Sequence, residues 1–246
     1  MADRIGKKTI NLKNTPAILG FGAVVGKKEG EGPLGEYFDE VHTDTTMGKD
    51  SWEDAESELM SRAVNTAISK AGLTPDKIDY IFAGDLLNQC VGSVFALKDL
   101  EIPYIGLFGA CSTMALSLGL ASVFVNSGAA EYAVATTSSH FCSAERQFRF
   151  PLDYGGQRTP TSQWTVTGSG AVVLGNKESG PKVTKITFGM PVDLGVKDAN
   201  NMGAAMAPDD VKIRPYPRHE GMAFFYTQIQ YLRGFRALFK NFQHSK

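Results

Sequence analysis

The chain has 246 residues, of which 43% are hydrophobic, 10% aromatic and 21% charged, with a formal net charge of −1. That length buries one large core or two small ones, and the composition excludes wholesale disorder. Near-neutral charge and a pI near 6.4 exclude a surface built for nucleic acid, which relies on dense Lys and Arg.

The start, Met1 to Lys8, lacks the apolar core of a secretory signal. Ala17 to Gly22 reads as a first strand closed by glycine. Residues 26 to 50 are polar and rich in Gly, Asp and Thr, without a period, and read as an excursion from the core. Ser51 then caps a helix, with Asp54 reaching back in the manner of a capping box. Trp52, Ala55, Leu59, Ala63, Ala67 and Ala71 recur at three- and four-residue spacing and form one buried helical face, which Gly72 and Pro75 stop. Ile78 to Gly84 is a second strand, Gly92 to Leu100 a helical stretch and Tyr104 to Phe108 a third strand. A two-residue turn leads to Cys111 and a run of small and apolar residues suited to a buried helix. This helix is apolar nearly all round (Met114, Leu116, Leu118, Leu120, Val123, Phe124), as expected of one covered on every side. The stretch Ala110 to Val125 is nevertheless too short and too rich in Ser and Thr to read as a membrane span. Glu131 to Thr137 is a fourth strand, and Gly170 to Gly175 with Pro181 to Phe188 read as an adjacent antiparallel pair.

Strands alternating with helices predict an α/β fold: a mostly parallel sheet covered by helices on both faces. Ligands on such sheets bind beyond the carboxyl ends of the strands. Cys111, Asp85 and Ser138-Ser139-His140 all follow strand ends. A cysteine opening a helix faces unpaired N–H groups and the positive end of the dipole, which favours its thiolate. The alternative is a core cysteine that merely packs. Cys90, Cys111 and Cys142 show neither metal-ligand spacing nor a disulfide framework, so a reducing compartment is expected.

Beyond Pro208 the character changes. Seven basic residues between Asp209 and Lys246 stand among many aromatics, opposed by Asp209, Asp210 and Glu220. Such a segment suits an anionic membrane surface or single-stranded nucleic acid, or it is a tail without a selected partner.

The Ala-rich helix leading into Ala71-Gly72-Leu73-Thr74-Pro75, and Gly168-Ser169-Gly170-Ala171-Val172-Val173-Leu174, resemble the N-terminal half of the thiolase-like fold. Cys111 falls where that superfamily places its acyl-accepting cysteine. Longer strings resemble one branch more closely, the stage V sporulation protein AD family. They run from Thr43 to Glu53, Leu107 to Met114, Ser138 to Leu152, Tyr154 to Thr161, Gln163 to Gly168 and Asn201 to Pro208. The resemblance covers roughly residues 5 to 208, so residues 1–208 are read as a thiolase-like N-terminal half and 209–246 as a divergent basic aromatic tail. After Pro208 the second half, which would supply catalytic His, Asn or Cys groups, is not recognisable, and truncation or a frameshift is expected.

The resemblance implies a ligand-binding component that moves dipicolinic acid, with calcium, into the developing spore. It implies membrane proteins of the same sporulation system as partners, a homodimer if full length, and no nucleic acid. The implied place is inside a spore-forming bacterium, peripheral to the spore inner membrane. Dipicolinate is a flat dianion, which asks for cationic donors at its carboxylates and a flat or apolar wall. The stretch from His140 to Arg158 holds His140, Arg146, Arg149 and Arg158 among Phe141, Phe148 and Phe150; its other reading is a solvated loop whose arginines pair with Glu145 and Asp153. The expected ligand-binding set is Cys111, Ser139, His140, Arg146, Arg149, Asp85 and Ser169, with no resident cofactor and Asp85 as a carboxylate partner for calcium accompanying the ligand. Two alternatives stay open: an acyltransferase using Cys111, and a nonfunctional fragment.

Overall fold

A computed structural model describes residues 2–147, 165–178, 180–189 and 222–224. The first part of the chain forms β1 (Ala2–Ile5), β2 (Thr9–Leu12), β3 (Ala17–Gly26), α1 (Lys27–Gly30), β4 (Glu40–His42), α2 (Trp52–Lys70), β5 (Tyr80–Gly84) and α3 (Val91–Leu97). There follow β6 (Tyr104–Gly106), α4 (Thr113–Ser127), β7 (Tyr132–Ser139), α5 (Phe141–Gln147), β8 (Gly168–Gly175), β9 (Val183–Thr187) and β10 (Met222–Phe224). Arg149 and Arg158, and the tail apart from β10, lie outside the described residues.

The main sheet has the order β4-β3-β8-β7-β5-β6. β3–β4, β5–β7 and β5–β6 pair in parallel, while β8 runs antiparallel to both β3 and β7. The α/β sheet is therefore mixed and mostly parallel, as the alternation of elements predicts. The expected pairing of residues 170–175 with 181–188 is not what forms. β8 is apolar on both faces and takes a central place, with both its edges paired to β3 and β7. β9 instead joins β2 in a second sheet of order β1-β2-β9-β10. The β1–β2 hairpin, turned at Gly6 with φ +62°, and β4 within the polar excursion are further strands absent from the sequence reading.

Alternation along the central strands divides the core in two. Ile81, Ala83, Val134, Ala171 and Val173 face α2 and α3, where they meet Leu59, Ala63, Val64, Ala67 and Leu97. Phe82, Ala133, Ala135, Val172 and Leu174 face α4 and the second sheet, meeting Leu118, Ala121, Val125 and Ile186. Phe124 packs edge-on against Phe82 and Tyr80, with centroids 4.9 and 5.3 Å apart.

The α2 helix begins and ends where its sequence says. The Ser51 hydroxyl accepts from the Asp54 backbone N–H at 3.1 Å and donates to the Asp54 carboxylate at 2.7 Å. At the other end Gly72, φ +69°, sits in the left-handed region; its N–H bonds Ser69 O, and Leu73 N–H bonds Ile68 O. These two bonds are a Schellman stop. Between the ends, α2 lies directly on β3: a Cβ at Gly22 would stand 2.2 Å from Ala63 O, and one at Gly20 2.4 Å from Ala67 O. Only glycine allows that approach.

The α4 helix differs from its expectation. It buries Thr113, Ser117, Leu118, Ala121, Ser122 and Val125, while Met114, Leu116, Leu120, Val123 and Phe124 are half-buried. The stretch Ala110–Ser127 has a mean hydropathy of 1.4, enough by length and composition to cross a membrane, contrary to the sequence reading. Half of it is buried within this fold, and the packing on β5 and β7 accounts for its apolar character.

Candidate functional site

Because β3, β4, β5, β6 and β7 run the same way, their carboxyl ends share one edge of the main sheet, where β8 begins. Gly26 pairs with His42, Gly84 with Thr137, Ala83 with Gly106, and Ser139 with Gly168. Every expected ligand residue that is described belongs to this edge or to the helices leaving it, but the side chains there do not form one constellation.

Asp85 follows β5 and is buried, at 1% exposure. Its Oδ1 accepts from Leu87 N–H at 2.8 Å; its Oδ2 accepts from Ser93 N–H at 2.6 Å and from the Ser93 hydroxyl. The carboxylate thus anchors the first turn of α3. Ser139 Oγ donates to Val166 O at 2.6 Å and Ser169 Oγ to Thr137 O at 2.9 Å, so both hydroxyls engage backbone. Arg146 is on the surface, paired with the Glu53 carboxylate, its guanidinium 5.8 Å from the centre of the Trp52 ring.

Cys111 is half-buried in a single 3-10 turn, Ala110–Ser112, that leads into α4. Its support is tight. A Cβ on Gly84 would stand 1.9 Å from Leu107 O, Gly109 N–H donates to Thr113 Oγ1 at 3.1 Å, and the Cys90 thiol donates to Leu107 O at 3.4 Å. Three non-glycine residues around this turn have positive φ: Gln89 at 60°, Cys90 at 55° and Ala110 at 47°. Each costs roughly 1–2 kcal/mol in a left-handed conformation, and such costs gather at functional loops.

His140, between β7 and α5, is buried. Its Nε2–H donates to Thr45 O at 2.7 Å, and its Nδ1 accepts from Cys142 N–H at 3.2 Å. This pattern assigns a neutral ring. Burial pushes the His140 pKa below its usual value, against the opposing pull of the Thr45 carbonyl and of Glu29. Burial likewise pushes the Cys142 thiol up.

A cavity of about 440 Å³ opens beside His140. Gly26 and α1 form one wall, His42 to Met47 a second, and His140, Phe141 and Cys142 a third, with Thr165 and Thr167 completing it. Its lining holds charges of both signs: the exposed Lys27 and Lys28, the exposed Glu31 and Asp44 and the half-buried Glu29, with Lys27 Nζ 3.8 Å from the Glu31 carboxylate. Cys111, Asp85, Ser139 and Ser169 do not line it. Among the described residues no group of three or more His, Cys, Asp or Glu converges as a metal site.

Sequence reasoning missed Glu56. It is wholly buried, with Oε1 accepting from Ser138 Oγ at 3.0 Å and Oε2 from Ser143 Oγ at 2.8 Å. Burial first, and Asp85 in addition, push its pKa up to about 7 against the opposing serine hydroxyls. The available signal was its place between Trp52 and Met60 at helical spacing, an acid within an apolar stripe.

An α/β protein with a ligand-sized cavity at the carboxyl edge of its sheet is the class these observations define. The profile described as Stage V sporulation protein AD matches residues 6–215, and the chain belongs to that family, which ties it to sporulation. It is 45% identical over 203 residues to the Stage V sporulation protein AD of Bacillus subtilis (strain 168), a match spanning 82% of this chain and 60% of that protein's length. Among solved structures it is similar to the priming β-ketosynthase of the R1128 polyketide pathway, at a TM-score of 0.47 and 15% identity over 73% of this chain and 54% of that one. It is also similar to 3-oxoacyl-[acyl-carrier-protein] synthase III of Aquifex aeolicus VF5, at 0.47 and 18% identity over 67% and 55%. Those neighbours are ketoacyl synthases of the thiolase-like kind; at such scores the likeness carries nothing about chemistry.

Proposed function

We propose that this chain is a ligand-binding component for uptake of dipicolinic acid, with calcium, into the developing spore, and that it does not transfer acyl groups. One observation carries the reading: the cavity beside His140 has an aromatic wall, Phe141, and two lysines at its rim, Lys27 and Lys28, which stand beside the acids Glu29, Glu31 and Asp44. A flat dianion needs those two things. Family membership supplies the sporulation context. Partnership with membrane proteins of the same system, a peripheral place at the spore inner membrane and a homodimer at full length belong to the same proposal. Cys111 lies outside the lining of this cavity.

Calorimetric titration with dipicolinate, with and without calcium, tests it. Lys27→Ala with Lys28→Ala should weaken binding roughly 10-fold or more, as expected when a charge-assisted hydrogen bond worth about 1.5–3 kcal/mol is lost. Cys111→Ala and Arg146→Ala, the latter cation being committed to Glu53, should change it less than about 3-fold. Arg149→Ala tests the remaining arginine. Absence of dipicolinate binding under both conditions overturns the function, and a dominant loss in Cys111→Ala overturns the site. The strained turn around Cys111 favours one second reading, acyl transfer from a thioester. Turnover of a CoA thioester abolished by Cys111→Ala would establish it instead.

A further inference from the structure

Residues 1–13 carry four cations, Arg4, Lys7, Lys8 and Lys13, against one acid, Asp3, while the rest of the chain has more acids than cations. They fall on the β1–β2 hairpin, where Asp3 to Lys8 are all exposed. The three-residue turn Gly6-Lys7-Lys8 concentrates the charge. Arg4 folds over it, with Nε–H donating to Gly6 O at 2.9 Å and Nη2 to Lys7 O at 3.4 Å. Lys13 is neutralised by Asp3 at 3.1 Å, whereas among the described residues no carboxylate pairs with Lys7 or Lys8. The hairpin is held from behind: β2 pairs with β9, and Phe188 N–H donates to Lys8 O at 3.1 Å. Ile10, Leu12 and Ile186 turn to the core, so strand alternation sends Thr9 and Asn11 to the opposite face, together with Ile5, which stands opposite Thr9. On that face the Thr9 and Thr187 hydroxyls meet at 2.9 Å. Ile5 is 49% exposed, an aliphatic side chain between Arg4 and the two turn lysines in sequence.

We propose that this hairpin tip is a contact with a bilayer of anionic lipid: Arg4, Lys7 and Lys8 meet the phosphate headgroups, and Ile5 enters the boundary between headgroups and acyl chains. It deepens the peripheral membrane place proposed above by naming a surface for it, and rests on that reading for the identity of the membrane alone. Charge sets the orientation. With acids in excess over the rest of the chain, an anionic bilayer attracts this end of the molecule in preference to others. The aliphatic residue decides between partners. Nucleic acid rewards dense cations and stacking rings, and the tip has three cations and no aromatic ring. An apolar side chain flanked by cations suits the lipid interface instead. Three cations at such a surface favour anionic over neutral lipid on the order of 100-fold.

Flotation with vesicles of phosphatidylglycerol and phosphatidylcholine in equal parts, against vesicles of phosphatidylcholine alone, reads the contact. The wild-type chain should partition on the order of 100-fold more strongly to the anionic vesicles, and salt at about 0.5 M should remove most of that preference. Lys7→Glu with Lys8→Glu should lower partitioning to the anionic vesicles by about 10-fold or more. Ile5→Ser should lower it roughly 3-fold. Lys77→Glu with Lys98→Glu makes the same charge change on exposed lysines elsewhere and should stay within about 3-fold of wild type. Far-UV circular dichroism checks that each variant folds. No preference for the anionic vesicles, or equal effects of the two double variants, overturns the proposal. Binding of a single-stranded oligonucleotide in place of vesicles, lost in the Lys7→Glu, Lys8→Glu chain, overturns it in favour of nucleic acid. Dipicolinate titration of the same chains keeps the two proposals apart. Vesicle binding without dipicolinate binding sinks the ligand reading and leaves the hairpin contact standing; the reverse sinks the contact alone.

Discussion

Replacing Gly22 by alanine should be among the most damaging single-methyl additions to this chain. The new Cβ would stand 2.2 Å from Ala63 O, 3.0 Å from Ala67 N and 3.1 Å from Ala63 C. All three are backbone atoms inside α2, so no side chain can swing away; strand and helix must separate by roughly 1 Å to restore ordinary contact. Separation loosens the seam in which Leu59, Ala63 and Ala67 pack on Val24, Ala171 and Val173. Overpacking of this kind costs about 1–3 kcal/mol, and unyielding backbone on both sides places Gly22→Ala at the upper end. For a protein of this size about 3 kcal/mol corresponds to a fall of roughly 6–12 °C in Tm. Gly92→Ala is the counter-test, because its Cβ would meet Asp85 and Leu87 at an ordinary 3.4 Å inside α3. It should be neutral or stabilise by up to about 1 kcal/mol. Thermal unfolding followed by far-UV circular dichroism measures both. A Gly22→Ala chain melting within about 2 °C of wild type would refute the close-approach argument.

Gly72→Ala should cost about 1 kcal/mol, since the position has φ +69° with open space around it, and the loss should show as a lower urea midpoint with unchanged slope. Asp85→Ala should cost on the order of 3 kcal/mol by leaving the N–H groups of Leu87 and Ser93 buried without an acceptor. Asp85→Asn, which keeps one acceptor oxygen, should lose distinctly less in the same urea titration.

Much of the fold was legible because it is written locally. Ser51 and Gly72 bound α2 by hydrogen bonds within a few residues, and the alanine stripe of that helix follows from its period alone. The place of β8 was not legible. An apolar run reads alike whether its neighbours are parallel or antiparallel, and its partners β3 and β7 lie far away in sequence. Strand ends and helix starts located His140, Cys111 and Asp85 at the carboxyl edge of the sheet. Their partners were invisible, because Thr45, Leu107 and Ser93 come from other elements. The hydroxyls of Ser138 and Ser143 likewise gave no sign that a buried acid lay between them.

The antiparallel course of β8 has a further consequence. A strand entering from the carboxyl edge begins where β7 ends, with Ser139 facing Gly168, so the chain between residues 147 and 165 leaves and returns at the same edge of the sheet. The intervening sequence can therefore change length or composition without shifting the register of any strand. Doubling its length would add only about 0.6 kcal/mol of closure entropy. The register of β7 against β8 is set within the sheet and not by the length of chain that separates the two strands.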